Sequence, residues 1–322
     1  MSQYRSRLPM LDRDQVFLTP GGLGTSLLFR EGLDLPHFAS FDLLKDERSA
    51  SLIEDFFDRF AMLARERGVG MMLTTPTWRA NRDWGRKLGY SDDALAAVNR
   101  RAVDLMLKVR SKWQTPGMPD IIAGTIGPRG DGYQADARMS ATEARDYHHA
   151  QIATFAATEA DMVGANTLTY VDEAIGIAYA ARACAMPLFV SFTVETDGRL
   201  PSGDTLQEAI ERTDAQTDGY AAFFMINCAH PSHFQSALQA GGDWVQRIRG
   251  VRANASRRSH AELNDASELD DGDPADLGEH YAVLRRLLPR LTMVGGCCGT
   301  DLRHADQICR AMQRVSGIES PS

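Results

Sequence analysis

Several things are missing from this 322-residue chain, and each absence removes a class of protein. No apolar run approaches the ~18 residues that a membrane span needs. Basic charge is in deficit, with 35 Lys and Arg against 43 Asp and Glu for a net charge of −8, so nothing favours a nucleic-acid partner. The first residues, Met1-Ser2-Gln3-Tyr4-Arg5-Ser6-Arg7, lack the apolar core of a signal peptide. No linker or low-complexity tract interrupts the chain, and the expectation is one domain over residues 1–322. The eight histidines show no HxxxH or similar metal spacing. Cysteine is scarce: five in all, an odd number with two adjacent. That is a poor disulfide framework, but it suits a reducing compartment and a metal or catalytic thiol, so a cytoplasmic protein is expected. Composition leaves a homo-oligomer open.

What is present is a rhythm of short β-rich runs and helix-patterned segments. Strands are predicted at Gln15–Thr19, Val69–Thr74, Asp120–Thr125, Asp161–Asn166, Leu188–Thr193, Ala222–Asn227, Trp244–Ala253 and Leu291–Gly295. Helices are predicted at Ser49–Arg67, Ser91–Trp113, Ala141–Thr158, Val171–Ala185, Leu206–Thr217, Ser232–Ala240, Ala275–Leu288 and Asp301–Val315. Ser91 before Asp92-Asp93, and Ser140 or Thr142 before Glu143, read as helix caps. Eight β–α units of about 40 residues each predict a (β/α)₈ barrel. The alternative, a doubly wound open sheet, usually carries a phosphate-binding GxGxxG loop after its first strand. Gly21-Gly22-Leu23-Gly24-Thr25 lacks that spacing. The stretch Asn254–Gly272 is irregular and charged, and reads as a solvated loop, with a lid or subunit contact as the alternative.

The cysteines carry the chemistry. Cys297 and Cys298 lie in Gly295-Gly296-Cys297-Cys298-Gly299-Thr300 after the eighth strand, and Cys228 ends the sixth. Neighbouring side chains on a strand point to opposite faces, and the flanking glycines let the backbone bend so that both sulfurs converge. Loops six and eight of a barrel share its C-terminal face, where such enzymes place their chemistry. Three thiolates there suit Zn²⁺ with a fourth position open to a substrate thiol. The bland alternative, an ordinary buried thiol and an inert pair, leaves the glycine context unexplained. Cys184 and Cys309 fall within helices and read as packing residues.

Taken together, the motifs resemble the homocysteine S-methyltransferase family, which includes betaine- and S-methylmethionine-dependent enzymes. The resemblance rests on Gly21-Gly22-Leu23-Gly24-Thr25, Thr74-Thr75-Pro76-Thr77-Trp78, Gly124-Thr125-Ile126-Gly127-Pro128, Asn227-Cys228 and the Cys297-Cys298 motif. It implies a barrel with zinc on Cys228, Cys297 and Cys298, methyl transfer from a small cationic donor to a thiol such as homocysteine, and a place in methionine biosynthesis. It assigns substrate contacts to Gly22, Thr25 and Trp78, the last by cation–π attraction to the donor. Trp84 is a weaker aromatic candidate. Asn254 is expected to orient a carboxylate or loop backbone, or to serve as a turn residue, and His230 to lie on the rim.

Two positions depart from the family pattern. Acids that hold the ammonium of homocysteine are replaced by Pro20 and Asn166, so homocysteine is expected to be a poor acceptor unless Glu195 or Asp197 compensates. Tyr170 is a further substrate candidate. Two alternatives stay in view: a demethylase of a methylated small molecule with another thiol as acceptor, and a non-catalytic zinc-binding subunit. The second lacks an obvious fourth ligand.

Overall fold

In the computed structural model, which describes residues 2–12, 15–136 and 138–317, all eight predicted segments contribute strands to one closed parallel barrel. The strands are β1 (Phe17–Thr19), β2 (Gly70–Thr74), β3 (Asp120–Ile126), β4 (Met162–Leu168), β5 (Leu188–Phe192), β6 (Phe223–Asn227), β7 (Ile248–Ala253) and β8 (Met293–Gly296). They pair in chain order, and β8 closes on β1. Each is followed by its helix: α1 (Glu47–Glu66), α2 (Asp92–Trp113), α3 (Ala141–Ala156), α4 (Val171–Ala183), α5 (Leu206–Thr217), α6 (Pro231–Gln239), α7 (Pro274–Leu287) and α8 (Leu302–Ser316). Ser91 caps α2 by accepting from the Ala94 amide. At α3 it is Ser140, not Thr142, that forms the cap, in a reciprocal box with Glu143.

Beyond shifts of a residue or two at element ends, three features differ from expectation. Asp243–Arg247 is a 3₁₀ turn, so β7 begins at Ile248 and not at Trp244. β4 runs on to Leu168 through a bulge between Ala165 and Leu168, which re-aims Asn166 and Thr167 at the barrel mouth. Short helices at Leu23–Phe29, Arg82–Lys87 and His260–Asn264 sit in the C-terminal loops, too brief to announce themselves by periodicity.

Side-chain alternation divides the core into two shells. Along β2, Met71 and Leu73 pack outward against helices, while Met72 joins Phe17, Ile121, Met162, Phe189, Phe223, Met225 and Met293 inside the barrel. Leu8 and Met10 of the amino-terminal segment join this inner cluster and close the bottom. Toward the opposite end the inward positions turn polar, with Thr19, Thr74, Thr125, Asn166, Asn227 and Arg252. The barrel is therefore a dry plug below and a lined cup above.

An ion pair anchors the lower rim. Asp161, fully buried, accepts from Arg110 at 2.8 Å and from the amides of Tyr4 and Ile122 at 2.8 and 2.9 Å. Replacing Asp161 with Ala strands the Arg110 guanidinium, and urea denaturation should show a loss of about 3–5 kcal/mol. A loss below about 1 kcal/mol would show that solvent reaches Arg110 in the folded state.

Candidate active site at the barrel mouth

The sulfurs of Cys228, Cys297 and Cys298 lie within 4.8 Å of one another at the C-terminal mouth. Cys228 and Cys297 are joined as a disulfide pair with Cα atoms 5.4 Å apart, and Cys298 is free beside them. Reduction of that pair frees three sulfurs at one point. Cys184 and Cys309 lie elsewhere, and Cys309 is buried in the outer core.

The backbone brings the sulfurs together at some cost. Cys228 has φ of +55°, a left-handed conformation rare for a residue with a side chain. Its amide donates to the Arg252 carbonyl at 3.0 Å. Its carbonyl accepts from Asn254 Nδ2 at 3.0 Å, while Asn254 Oδ1 accepts from the Cys298 amide at 3.1 Å. Asn254 therefore ties the sixth and eighth loops together, which settles the role left open for it. His260 Nε2 lies 2.5 Å from the same Cys228 carbonyl, and its Nδ1 is 3.1 Å from Glu195. On the other side the first loop clasps the eighth. Thr25 Oγ1 accepts from the Gly299 amide at 3.3 Å and donates to the Gly22 carbonyl at 3.0 Å. A Cβ at Gly22 would come within 2.5 Å of the Cys297 carbonyl, so only glycine fits there.

The cysteines face a cleft in two parts. The inner part, about 130 Å³, is lined by Pro20, Gly22, Thr25, Asn166, Arg252 and all three cysteines, among others. The outer part, about 380 Å³, is lined by Phe38, Tyr133, His260, Asp131, Glu268 and Asp270, and Cys298 belongs to both walls. Burial pushes the Cys298 thiol above its ordinary pKa, with Tyr133 and Arg252 pulling the other way. Its thiolate thus needs a cation to offset the loss of water. A donor set of three sulfurs at one point, with no fourth histidine, cysteine or carboxylate in the cluster among the described residues, fits a soft or borderline metal with an open position.

The predicted substrate residues divide. Gly22, Thr25, Trp78 and Asn166 line the inner cleft. Glu195, Asp197 and Tyr170 do not: Glu195 pairs with His260, Asp197 caps the Arg199 amide, and the Tyr170 hydroxyl accepts from the Met139 amide. Glu195 therefore props the cysteine loop through His260, and the inner cleft has no acid among the described residues. Trp78 is present but engaged. The Arg79 guanidinium lies 4.1 Å from its ring centroid, and a Cβ on Gly132 would come within 2.8 Å of the same indole. Trp84 likewise takes Arg79 at 4.0 Å and Lys87 at 3.8 Å. His230 caps α6 through the Ser232 amide.

Sequence reasoning did not find Arg79, Tyr133, His260 or Arg252. The loop Asn254–Gly272, read as solvated with a lid as the alternative, keeps most of its charged residues exposed, yet it also folds against the mouth and supplies His260, Glu268 and Asp270 to the cleft wall. His260 stacks on Tyr133 with centroids 4.2 Å apart, and the Tyr133 hydroxyl lies 3.9 Å from Cys298 Sγ. Only the inward position of Arg252 on a predicted strand could have been read beforehand.

Removal of the Asn254 amide should loosen the metal site before it unfolds the barrel. Asn254→Ala is expected to lower metal affinity about 10–100-fold in chelator competition, with the far-ultraviolet circular dichroism spectrum unchanged. Wild-type affinity in that variant would show that the cysteine loops hold their register without it.

The comparisons with known proteins agree with this geometry. A family model described as homocysteine S-methyltransferase matches residues 17–312. The metallated form of the homocysteine methyltransferase MmuM from Escherichia coli superposes with a TM-score of 0.73 at 19% identity, covering 95% of this chain and 98% of that one. Its oxidized form gives 0.71 at 18% identity, covering 98% and 100%. At such identities the structures speak for the fold, and the family model speaks for the family. The chain belongs to the homocysteine S-methyltransferase family and is a methyltransferase.

Proposed function

We propose that the protein is a zinc-dependent S-methyltransferase, one barrel domain that moves a methyl group from a small cationic donor to a thiol acceptor of the homocysteine type. The observation that carries this reading is the convergence of the Cys228, Cys297 and Cys298 sulfurs beside a two-part cleft. The metallated state of the MmuM relative supports a metal at such a site. Zinc supplies one thing here: a thiol of pKa ~8.5 is mostly protonated at neutral pH, and zinc keeps it deprotonated and nucleophilic.

The chain's own residues do the rest. Phe57 and Leu23 of the inner wall displace water from the attacking sulfur. Asn254 and His260 fix the backbone of the ligand loops. Asp131, Glu268 and Asp270 outnumber Arg79 on the wall of the outer chamber, which favours a sulfonium or quaternary ammonium donor there. In the transfer the acceptor sulfur forms the new S–CH₃ bond with its own electron pair. The bond from the methyl to the donor sulfur or nitrogen breaks, and its pair stays on the donor, whose positive charge disappears. The acceptor's proton has already left to solvent.

Metal analysis of reduced protein should find one zinc per chain. Cys297→Ser combined with Cys298→Ser should abolish it, while Cys184→Ser and Cys309→Ser should leave it intact; full retention in the double variant would sink the assignment. Zinc X-ray absorption should shift from three sulfurs and a lighter ligand to four sulfurs when the acceptor is added. An unchanged shell at saturation would rule out direct thiol activation.

Specificity gives a separate test. Asn166 Oδ1 is buried without a hydrogen-bond partner among the described residues, where a carboxylate could meet an ammonium. Asn166→Glu should raise kcat/KM for homocysteine about tenfold or more, equivalent to at least ~1.4 kcal/mol. A decrease would show that the amide already serves homocysteine.

A further inference from the structure

The inner cleft is unusual in its charge. Its wall contains two arginines, Arg79 and Arg252, and no aspartate or glutamate. Arg79 is committed elsewhere: it donates to the Gly130 carbonyl at 2.8 Å, approaches Asp131 at 4.0 Å and stacks on Trp78 and Trp84. Arg252 is not. On β7, Val251 and Ala253 pack outward, so Arg252 points into the barrel. Its hydrogen bonds to the protein are two long ones, Nε to the Gly296 carbonyl at 3.4 Å and Nη2 to the Pro20 carbonyl at 3.5 Å, and its charge also faces the Cys298 sulfur. No carboxylate pairs with it among the described residues.

The register places Arg252 beside a small neighbour, and a Cβ on Gly295 would come within 2.1 Å of the Thr19 hydroxyl. Arg252 lies opposite Gly295, which has no side chain, and Gly295 in turn lies opposite Thr19. The Thr19 hydroxyl is buried without a hydrogen-bond partner among the described residues. A guanidinium carries five donors in a planar fork suited to a carboxylate. Left half-buried with two long contacts to carbonyls, it has donors to spare, and an anion from outside the chain would satisfy them. The same wall offers an ammonium only neutral acceptors, such as Asn166 and Thr125, among the described residues.

We propose that Arg252 reads the carboxylate of the acceptor and that the inner pocket selects a mercaptoalkanoic acid without an amino group over an amino-acid thiol. This rests on the thiol-acceptor reading above. Arg79 borders both parts of the cleft, but Arg252 lines the inner part alone, where an anionic acceptor fits, and the three acids line the outer part alone, where a cationic donor fits. Cys298 stands at the boundary, where the sulfur and the methyl must meet.

The test uses the reduced full-length protein loaded with Co²⁺ in place of zinc, so that thiol ligation is read from the sulfur-to-cobalt absorption and Kd from titration. Three probes differ by one group each: homocysteine, 4-mercaptobutanoate, which lacks the ammonium, and 4-mercaptobutan-1-ol, which lacks both charges. In the wild type, 4-mercaptobutanoate should bind at least tenfold more tightly than either of the others. Arg252→Met should keep its cobalt and its affinity for the alcohol but lose the tenfold advantage of the acid, and Arg252→Lys should retain part of it. Homocysteine binding as tightly as the desamino acid would overturn the proposal. So would an Arg252→Met variant that weakens acid and alcohol equally, or one that loses cobalt, since the arginine would then be a counter-charge to the cysteines. If no thiol changes the cobalt spectrum, the thiol-acceptor reading itself falls, and this proposal with it. That result differs from ligation without preference, which removes this proposal alone.

Discussion

The side-chain amide of Asn254 touches both halves of the sulfur cluster at once. It donates to the carbonyl of Cys228 and accepts from the amide of Cys298, using the two ends of one planar group to set the distance between loops that are remote in sequence. The strands beneath enforce the same spacing. Tyr281 of α7 reaches under the site, where its hydroxyl shares its one proton between the Val251 and Gly295 carbonyls and accepts from the Ala253 amide. β7 and β8 are therefore tied side to side directly below the cysteines. Without this lateral bracing, three sulfurs on two loops would have no reason to meet.

The barrel was legible because its signals are strong and local. Each strand is a short β-rich run, several barrel helices, such as α1 and α8, show an apolar stripe, and the glycines around Cys297-Cys298 announce a bend. The sulfur cluster was legible for the same reason: two strand ends on one face leave the residues after them close together. The cleft wall was harder to read. Tyr133 and His260 stack on each other from loops 127 residues apart, and neither position carries any local pattern. Charged residues in Asn254–Gly272 look solvated in sequence, and only the fold shows that the loop turns back over the mouth. The surroundings of Trp78 were hidden for a related reason: it lines the inner cleft as expected, but nothing in the sequence says that the guanidinium of its neighbour Arg79 would lie on that indole.

The electrostatics of the cleft also follow from the fold rather than from composition. The chain is acidic overall, yet the inner chamber is lined without a single carboxylate and with two arginines. The acids gather instead on the outer wall, carried there by the loops after β3 and β7. A net charge of −8 therefore says nothing about the field at the reacting atoms. In an enclosed site a few fixed charges outweigh many screened ones on the surface.

The backbone of Cys228 has a consequence for how this position can change over time. A non-glycine residue at φ of +55° gives up about 1–3 kcal/mol relative to an unstrained one. Glycine would relieve that penalty, and drift governed by stability alone would carry the position toward it. Loss of the sulfur would then come with a more robust fold. Activity and robustness thus pull in opposite directions at a single residue, and a cysteine persists there only under continued selection for the reaction.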